Sequence, residues 1–255
     1  MLTAITRGVS PLLAECELTW LAREPIDMEL ARAQHRAYEQ ALREAGARVI
    51  ALPALHGQPD CVFVEDPALV LDEVAVITSM GAASRRGERA SLAEALATFR
   101  PVIQMREPGM LEGGDVMRVG RRLYAGLSHR TDSAGIAELA GLLLPFGYEV
   151  IGVPLRNCLH LKSGCTYVGD ETVLINPEWV DPAGIGDYRF IEVAEGEAGA
   201  ANALRVGETV LIPSAWPRTA EKLRRAGYRV RELELSELLK AESGVTCSSL
   251  LFEAE

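Results

Sequence analysis

The sequence has no apolar run near the roughly 18 residues that a membrane-spanning helix needs. Its first residues, Met1-Leu2-Thr3-Ala4-Ile5-Thr6-Arg7, lack the charged start, apolar stretch and small-residue cleavage site of an export signal. A cytoplasmic protein with no membrane partner is therefore expected. Basic residues are few: 26 Lys and Arg stand against 36 Asp and Glu, a net charge of −10. With no basic stripe to neutralise phosphates, nucleic acid is not an expected partner; the acidic balance suits a cationic ligand. The five cysteines, Cys16, Cys61, Cys158, Cys165 and Cys247, are odd in number and form no CxxC pair. That argues against structural zinc and against a disulfide framework, and most of them read as small buried apolar residues. Also missing are a Walker loop, HExxH, GxSxG and a Rossmann glycine pattern, so no metal or cofactor is expected.

No linker or low-complexity segment divides the chain, and residues 1–255 read as one catalytic domain. With 48% hydrophobic and 24% charged residues, the composition excludes disorder and supplies a sizeable core. What fills the chain is a repeat. Asp115 to Gly126, Cys165 to Ile175 and Asn202 to Ile212 each read as strand, tight turn and strand, with a glycine at the turn where positive φ is cheap. Val62 to Ile77 reads as a longer variant of the same hairpin. Helical apolar spacing runs over Met28 to Ala45, Ser133 to Phe146 and Thr219 to Ala226, each followed by a glycine stop and another strand; Ser91 to Phe99 is a fourth candidate helix. A ββαβ unit used about five times resembles a propeller, with Gly244 to Phe252 completing the unit begun by the first residues. Pattern alone leaves an ordinary α/β sandwich open.

Four polar clusters fall at the ends or turns of these units. Asp60-Cys61-Val62-Phe63-Val64-Glu65-Asp66-Pro67 places three carboxylates around an apolar strand, a fit for the planar donors of a guanidinium or merely a solvated strand end. Glu112-Gly113-Gly114-Asp115 sets a carboxylate where the backbone can approach a ligand. His160, between two leucines and just before a hairpin, is the natural proton shuttle. Cys247, among small residues at the start of an apolar strand, is a candidate nucleophile. Arg85 and Arg130, each after a strand, could clamp a carboxylate or could form surface salt bridges. Together these sites favour an amino-acid-like substrate with a cationic tail.

In this order the clusters resemble those of the dimethylarginine dimethylaminohydrolases, guanidino-group-modifying enzymes of the pentein superfamily, from about residue 18 onward. The resemblance implies an α/β fold, a five-bladed propeller, and hydrolysis of methylated arginines to citrulline through a covalent cysteine thiouronium. It implies Cys247 as nucleophile, His160 as general acid and base, and Glu112 as the carboxylate beside it. Glu65 and Asp66, with Phe63 next to them, would hold the guanidinium. Asp60 would bind the amino-acid end, Arg85 and Arg130 the α-carboxylate, and the backbone carbonyls of Leu18 and Ala241 the α-amine. It implies a homodimer and a mobile loop over residues 12 to 27, where this chain departs from the family pattern at Trp20 and Glu24. Ser248 stands where some animal members carry a second cysteine. The nearest alternatives are another guanidine hydrolase of the superfamily, such as an arginine deiminase, and a non-catalytic pentein; a zinc-binding use of Cys247 and His160 is a third.

Overall fold

The computed structural model describes residues 1–254. Reading along the chain, β1 (Leu2–Arg7) is followed by α1 (Met28–Glu44) and β2 (Arg48–Leu52). Then come β3 (Ala68–Val70), β4 (Ala75–Ile77), α2 (Arg89–Leu96) and β5 (Val102–Gln104), and after them β6 (Val116–Val119), β7 (Arg122–Leu127), α3 (Ser133–Leu143) and β8 (Glu149–Pro154). The fourth group is the one-turn α4 (Leu161–Gly164), β9 (Cys165–Gly169), β10 (Thr172–Ile175) and β11 (Arg189–Glu192). The last is β12 (Leu204–Val206), β13 (Thr209–Pro213), α5 (Pro217–Arg225), β14 (Arg229–Leu233), α6 (Ser236–Leu239) and β15 (Leu250–Glu253).

These strands form five three-stranded sheets: β15-β1-β2, β3-β4-β5, β6-β7-β8, β9-β10-β11 and β12-β13-β14. In each, the first strand pairs antiparallel and the third parallel with the middle one. A parallel neighbour demands a crossover, and in four sheets a helix supplies it. The fourth departs from the expected unit. Residues 176–188 carry Pro177, Pro182, Gly184 and Gly186, which leave no run long enough for a helix, and a short 3-10 turn at Pro182–Gly184 makes the crossover instead. The expected hairpin over 62–77 is also shorter than its apolar run. Residues 60–67 are a chain of turns: Cys61 N–H and Phe63 N–H donate back to the Gln58 and Asp60 carbonyls at 3.4 and 2.9 Å, while Glu65 N–H donates to the Cys247 carbonyl at 3.1 Å and the Asp66 carbonyl accepts from Gly113 N at 2.8 Å.

The core shows that the sheets close into a ring. Five apolar clusters exist, and each joins two consecutive sheets. Ile5 and Leu250 pack with Ile77, Val76 with Leu123, Tyr124 with Val173, and Leu174 with Ile212; Leu211 then packs back against Ala4. The fold is a five-bladed α/β-propeller. The strand antiparallel to the middle one in every sheet lines a cavity of about 260 Å³ on the axis, through Ala68, Val116, Thr166, Leu204 and Leu250. The innermost strand of the first blade is thus the last strand of the chain, β15, and β1 is that blade's middle strand.

Helix α1 shows how sequence sets an outer element. Asp27 caps it, accepting from Glu29 N and Leu30 N at 3.0 Å each. Ala31, Tyr38, Ala41 and Leu42 form its buried stripe, and Gly46 at φ +101° ends it. The Tyr38 hydroxyl reaches inward to the Val245 carbonyl and Ser249 Oγ, both at 2.7 Å, and so holds the turn that carries Cys247. No helix among the described residues is long and apolar enough to cross a membrane.

Candidate active site

The segment leading into each innermost strand delivers polar residues to one end of the axis. Glu65 and Asp66 precede β3, Glu112 precedes β6, His160 precedes β9, Asn202 precedes β12 and Cys247 precedes β15. Residues far apart in sequence therefore meet because they hold equivalent places in five copies of one unit.

His160 is buried, and its Nε2 lies 2.9 Å from Oε2 of the fully buried Glu112. Its Nδ1 lies 3.8 Å from Asp66 Oδ1. Burial alone would lower its pKa. The negative charges of Asp66, Asp115 and Glu112 overcome burial and push it up to about 9, so the imidazole is protonated at neutral pH. Glu112 is desolvated, which opposes ionisation, yet its bond to His160 holds its carboxyl below the usual range. The two glycines after Glu112 have a steric cause. A Cβ on Gly113 would stand 2.0 Å from the Glu65 carbonyl oxygen, and one on Gly114 would stand 2.6 Å from both Asp66 Oδ1 and His160 Nδ1.

Cys247 is the one cysteine of the five that is not fully buried. Its Sγ accepts from Gly244 N–H at 3.3 Å. Desolvation, with the charges of Glu65 and Asp66 behind it, pushes the thiol up to about 12; Gly244 N–H and Lys162 pull the other way. The thiolate is thus scarce at neutral pH. It lies in a turn ahead of β15 rather than at the strand's start.

Cys247, His160, Asp66, Asp60, Phe63, Arg85, Arg130 and Ala241 all line one small cavity of about 20 Å³. Glu112 stands behind His160. Glu65 faces the axial cavity instead, where its carboxylate accepts from Lys162 Nζ and, at 2.7 Å, from Thr246 Oγ1. Arg85 is spent on its neighbours. It grips Glu88 with two bonds of 3.0 and 2.9 Å, pairs with Asp66 and donates to the Phe63 carbonyl at 3.0 Å. Arg130 is freer, 3.5 Å from Glu112 Oε1 and 3.2 Å from Thr19 Oγ1. Asp66, Glu112 and His160 place their ligand-type atoms within 4.8 Å of one another; they are the set among the described residues that could hold a cation, and Cys247 lies outside it.

Leu18 does not line the small cavity; it lies in the loop that roofs it and packs on the core beneath. That loop is clipped down from several sides. Asp60 accepts from Glu17 N at 3.1 and 3.2 Å, Ser84 Oγ donates to Glu17 at 2.6 Å, and the Glu242 carboxylate accepts from the amides of Thr19, Trp20 and Leu21.

Residue-type reasoning passed over Asn202, Lys162, Asp115 and Glu242. Asn202 is buried; its Nδ2 donates to the Lys162 carbonyl at 2.9 Å and to Thr246 Oγ1 at 3.0 Å, and its Oδ1 accepts from Thr246 N at 3.1 Å. It ties the nucleophile's turn to the segment after His160. The repeat held the signal, since Asn202 stands where the other units place Glu112 and His160. Asn202→Ala is expected to lower kcat by one to two orders of magnitude while KM moves less than about threefold, because misplacing a reacting group by about 1 Å costs roughly 10²-fold. Steady-state kinetics check the split; an equal rise in KM would count against a positioning role.

A model of the eukaryotic N,N dimethylarginine dimethylhydrolase family matches residues 18–185. The N(G),N(G)-dimethylarginine dimethylaminohydrolase of Pseudomonas aeruginosa is 40% identical over 228 residues, covering 89% of this chain and 90% of its own. That of Streptomyces coelicolor is 38% identical over 248 residues, covering 97% and 95%. Among solved structures, a cysteine-to-serine mutant of the Pseudomonas aeruginosa enzyme complexed with citrulline superposes with a TM-score of 0.94 at 38% identity, covering 98% of each chain. The N-terminal domain of ArgZ, a cyanobacterial arginine dihydrolase bound to product, gives 0.90 at 25% identity over 99% of this chain and 98% of its own.

Proposed function

Because the chain belongs to the dimethylarginine dimethylaminohydrolase family, we propose that it hydrolyses Nω-methylated arginines to citrulline and the methylamine. The observation that carries the reading is the meeting of Cys247, His160 and Asp66 on one small cavity, with Glu112 fixing the imidazole.

The steps follow from the charges. The substrate's guanidinium settles against Asp66 and the Glu65 side of the axis, and its positive charge favours loss of the Cys247 proton to solvent water. The thiolate attacks the central carbon. His160, protonated and held by Glu112, gives its proton to the departing amine, leaving a thiouronium on Cys247. The imidazole then takes a proton from water, whose oxygen displaces the sulfur to give citrulline. Arg130 is the side chain best placed to meet the α-carboxylate, with Asp60 and the Leu18 and Ala241 carbonyls at the amine end. Arg85, tied to Glu88 and Asp66, acts on the carboxylate through whatever donor it can free and on the guanidinium through Asp66. Residues 1–255 as one catalytic unit, a homodimeric assembly and a cytoplasmic place belong to the same proposal.

The likeness to an arginine dihydrolase keeps unmethylated arginine as a second reading. One methyl in an apolar niche is worth only about 1–3 kcal/mol. Citrulline release from asymmetric dimethylarginine, monomethylarginine and arginine decides between them. Turnover of the methylated pair, with arginine at least tenfold slower in kcat/KM, is the expected outcome. Faster turnover of arginine would reassign the enzyme as a deiminase.

A further inference from the structure

Beside the small cavity lies a larger chamber of about 390 Å³, whose wall is mostly carbon. Trp20, Leu21, Leu159, Trp179, Trp216 and Leu239 supply that carbon. The chain has only three tryptophans, and all three stand here. They come from the roof loop, the helix-free crossover after β10, and the residue ahead of α5. The chamber and the small cavity share Leu159, Glu242, Ser243 and, decisively, Cys247. A carbon bonded to Sγ therefore stands at the junction of a polar cavity fit for the amino-acid end and an apolar one. Trp20 and Leu21, neighbours in sequence and 47% and 51% exposed, extend the apolar wall to the surface as one continuous face. Their position is not slack, because the Glu242 carboxylate holds both their amides. Glu242 is also the chamber's one charged wall residue, so no wall cation is left to attract an anionic ligand.

The volume falls in the range of about 300–1,000 Å³ usual for small-molecule sites, far more than one or two methyl groups fill. We propose that the chamber is a subsite for the Nω-substituent of the substrate, and that the enzyme takes arginines carrying apolar Nω-alkyl groups larger than methyl. This rests on the guanidine-hydrolase reading. The chemistry balances as before: the Cys247 sulfur bonds to the guanidino carbon, the bond to the alkylated nitrogen breaks, and His160 protonates the alkylamine. Water then replaces sulfur, giving citrulline and returning the thiol.

Because every tryptophan is in the wall, emission excited where only indole absorbs reports on the chamber and its roof loop. The test titrates the Cys247→Ser variant with monomethyl-, ethyl- and propyl-L-arginine, following tryptophan emission, and measures citrulline release from the same series in the unaltered enzyme. Expected is a change in emission and a Kd that falls roughly fourfold per added methylene, with propylarginine turned over. In Trp216→Ala, or Trp179→Ala if the first does not fold, the gain per methylene shrinks toward none. Turnover of monomethylarginine with ethyl and propyl binding more weakly than methyl would overturn the chamber and leave the function standing. Chain-length tightening without any citrulline would overturn the function and leave the chamber standing.

Discussion

Iodoacetamide is expected to inactivate the free enzyme at a rate that climbs about tenfold per pH unit from pH 6 to pH 9 without levelling. Alkylation consumes the thiolate, and below its pKa the thiolate fraction rises tenfold per unit. Desolvation of Cys247, aided by Glu65 and Asp66, pushes that pKa up to about 12. The whole window therefore lies on the rising limb, and the rate spans about three orders of magnitude. Cys247→Ser supplies the blank, and with its nucleophile gone it should release no measurable citrulline. The four fully buried cysteines should contribute little to the signal. A plateau with a midpoint below pH 8 would show an already activated thiol and would remove the substrate's charge from the activation step. The arrangement makes chemical sense: a thiol that ionises only beside a cation is sheltered from stray electrophiles and oxidants.

The second large effect is expected at His160. Replacing it with alanine removes the proton donor for the leaving amine and the base for water, and kcat should fall about 10²–10⁴-fold. A subtler variant tests the electrostatics. The free enzyme's productive form needs Cys247 without its proton and His160 with one. With His160 at about 9 and Cys247 at about 12, kcat/KM should rise with pH and then level near pH 9, where imidazolium starts to be lost as fast as thiolate is gained. Glu112→Gln takes away one of the anions that raise His160, so its pKa falls toward the ordinary value and the levelling point moves to lower pH. A pH profile of kcat/KM for the two proteins checks the direction. An unmoved break would detach Glu112 from the titration of His160.

Much of this was legible in the sequence where local chemistry was strong. The turn glycines Gly120, Gly169 and Gly207 all take positive φ in the structure, and so do the helix-stopping Gly46, Gly147 and Gly227. The repeat was readable because each unit restates its strand periodicity. It misled in two places, for the same reason: periodicity registers apolarity and not pairing. Cys61 to Val64 are apolar because they are buried, yet their backbone turns back on itself, Cys61 N–H to the Gln58 carbonyl and Phe63 N–H to the Asp60 carbonyl, instead of pairing as a strand. The crossover after β10 lacks a helix because prolines and glycines interrupt it.

At the site, residue type singled out Cys247, His160 and the acidic cluster, since nucleophile, shuttle and carboxylate have few substitutes. It gave no hint that Arg85 is consumed by Glu88 and Asp66, because the spacing of Arg85 from Asp66 carries no fixed geometry across a turn-rich segment. Asn202 was readable only from its place in the repeat, because by residue type alone an amide that bridges two backbones looks like any loop residue.

The way the ring shuts has a consequence for how activity is acquired. β15 pairs with β1 in a register that sets Leu2 opposite Glu253, a contact spanning almost the entire chain. Such distant contacts are entropically the last to pay back their closure. Cys247 sits three residues ahead of that strand, in the turn that Tyr38 and Asn202 hold. The other four blades can assemble, with His160, Glu112 and Asp66 already near one another, and still leave the nucleophile unplaced. Catalysis is thus a late event in refolding: citrulline release should return only after the helical signal has recovered, making the enzyme a reporter of its own completion.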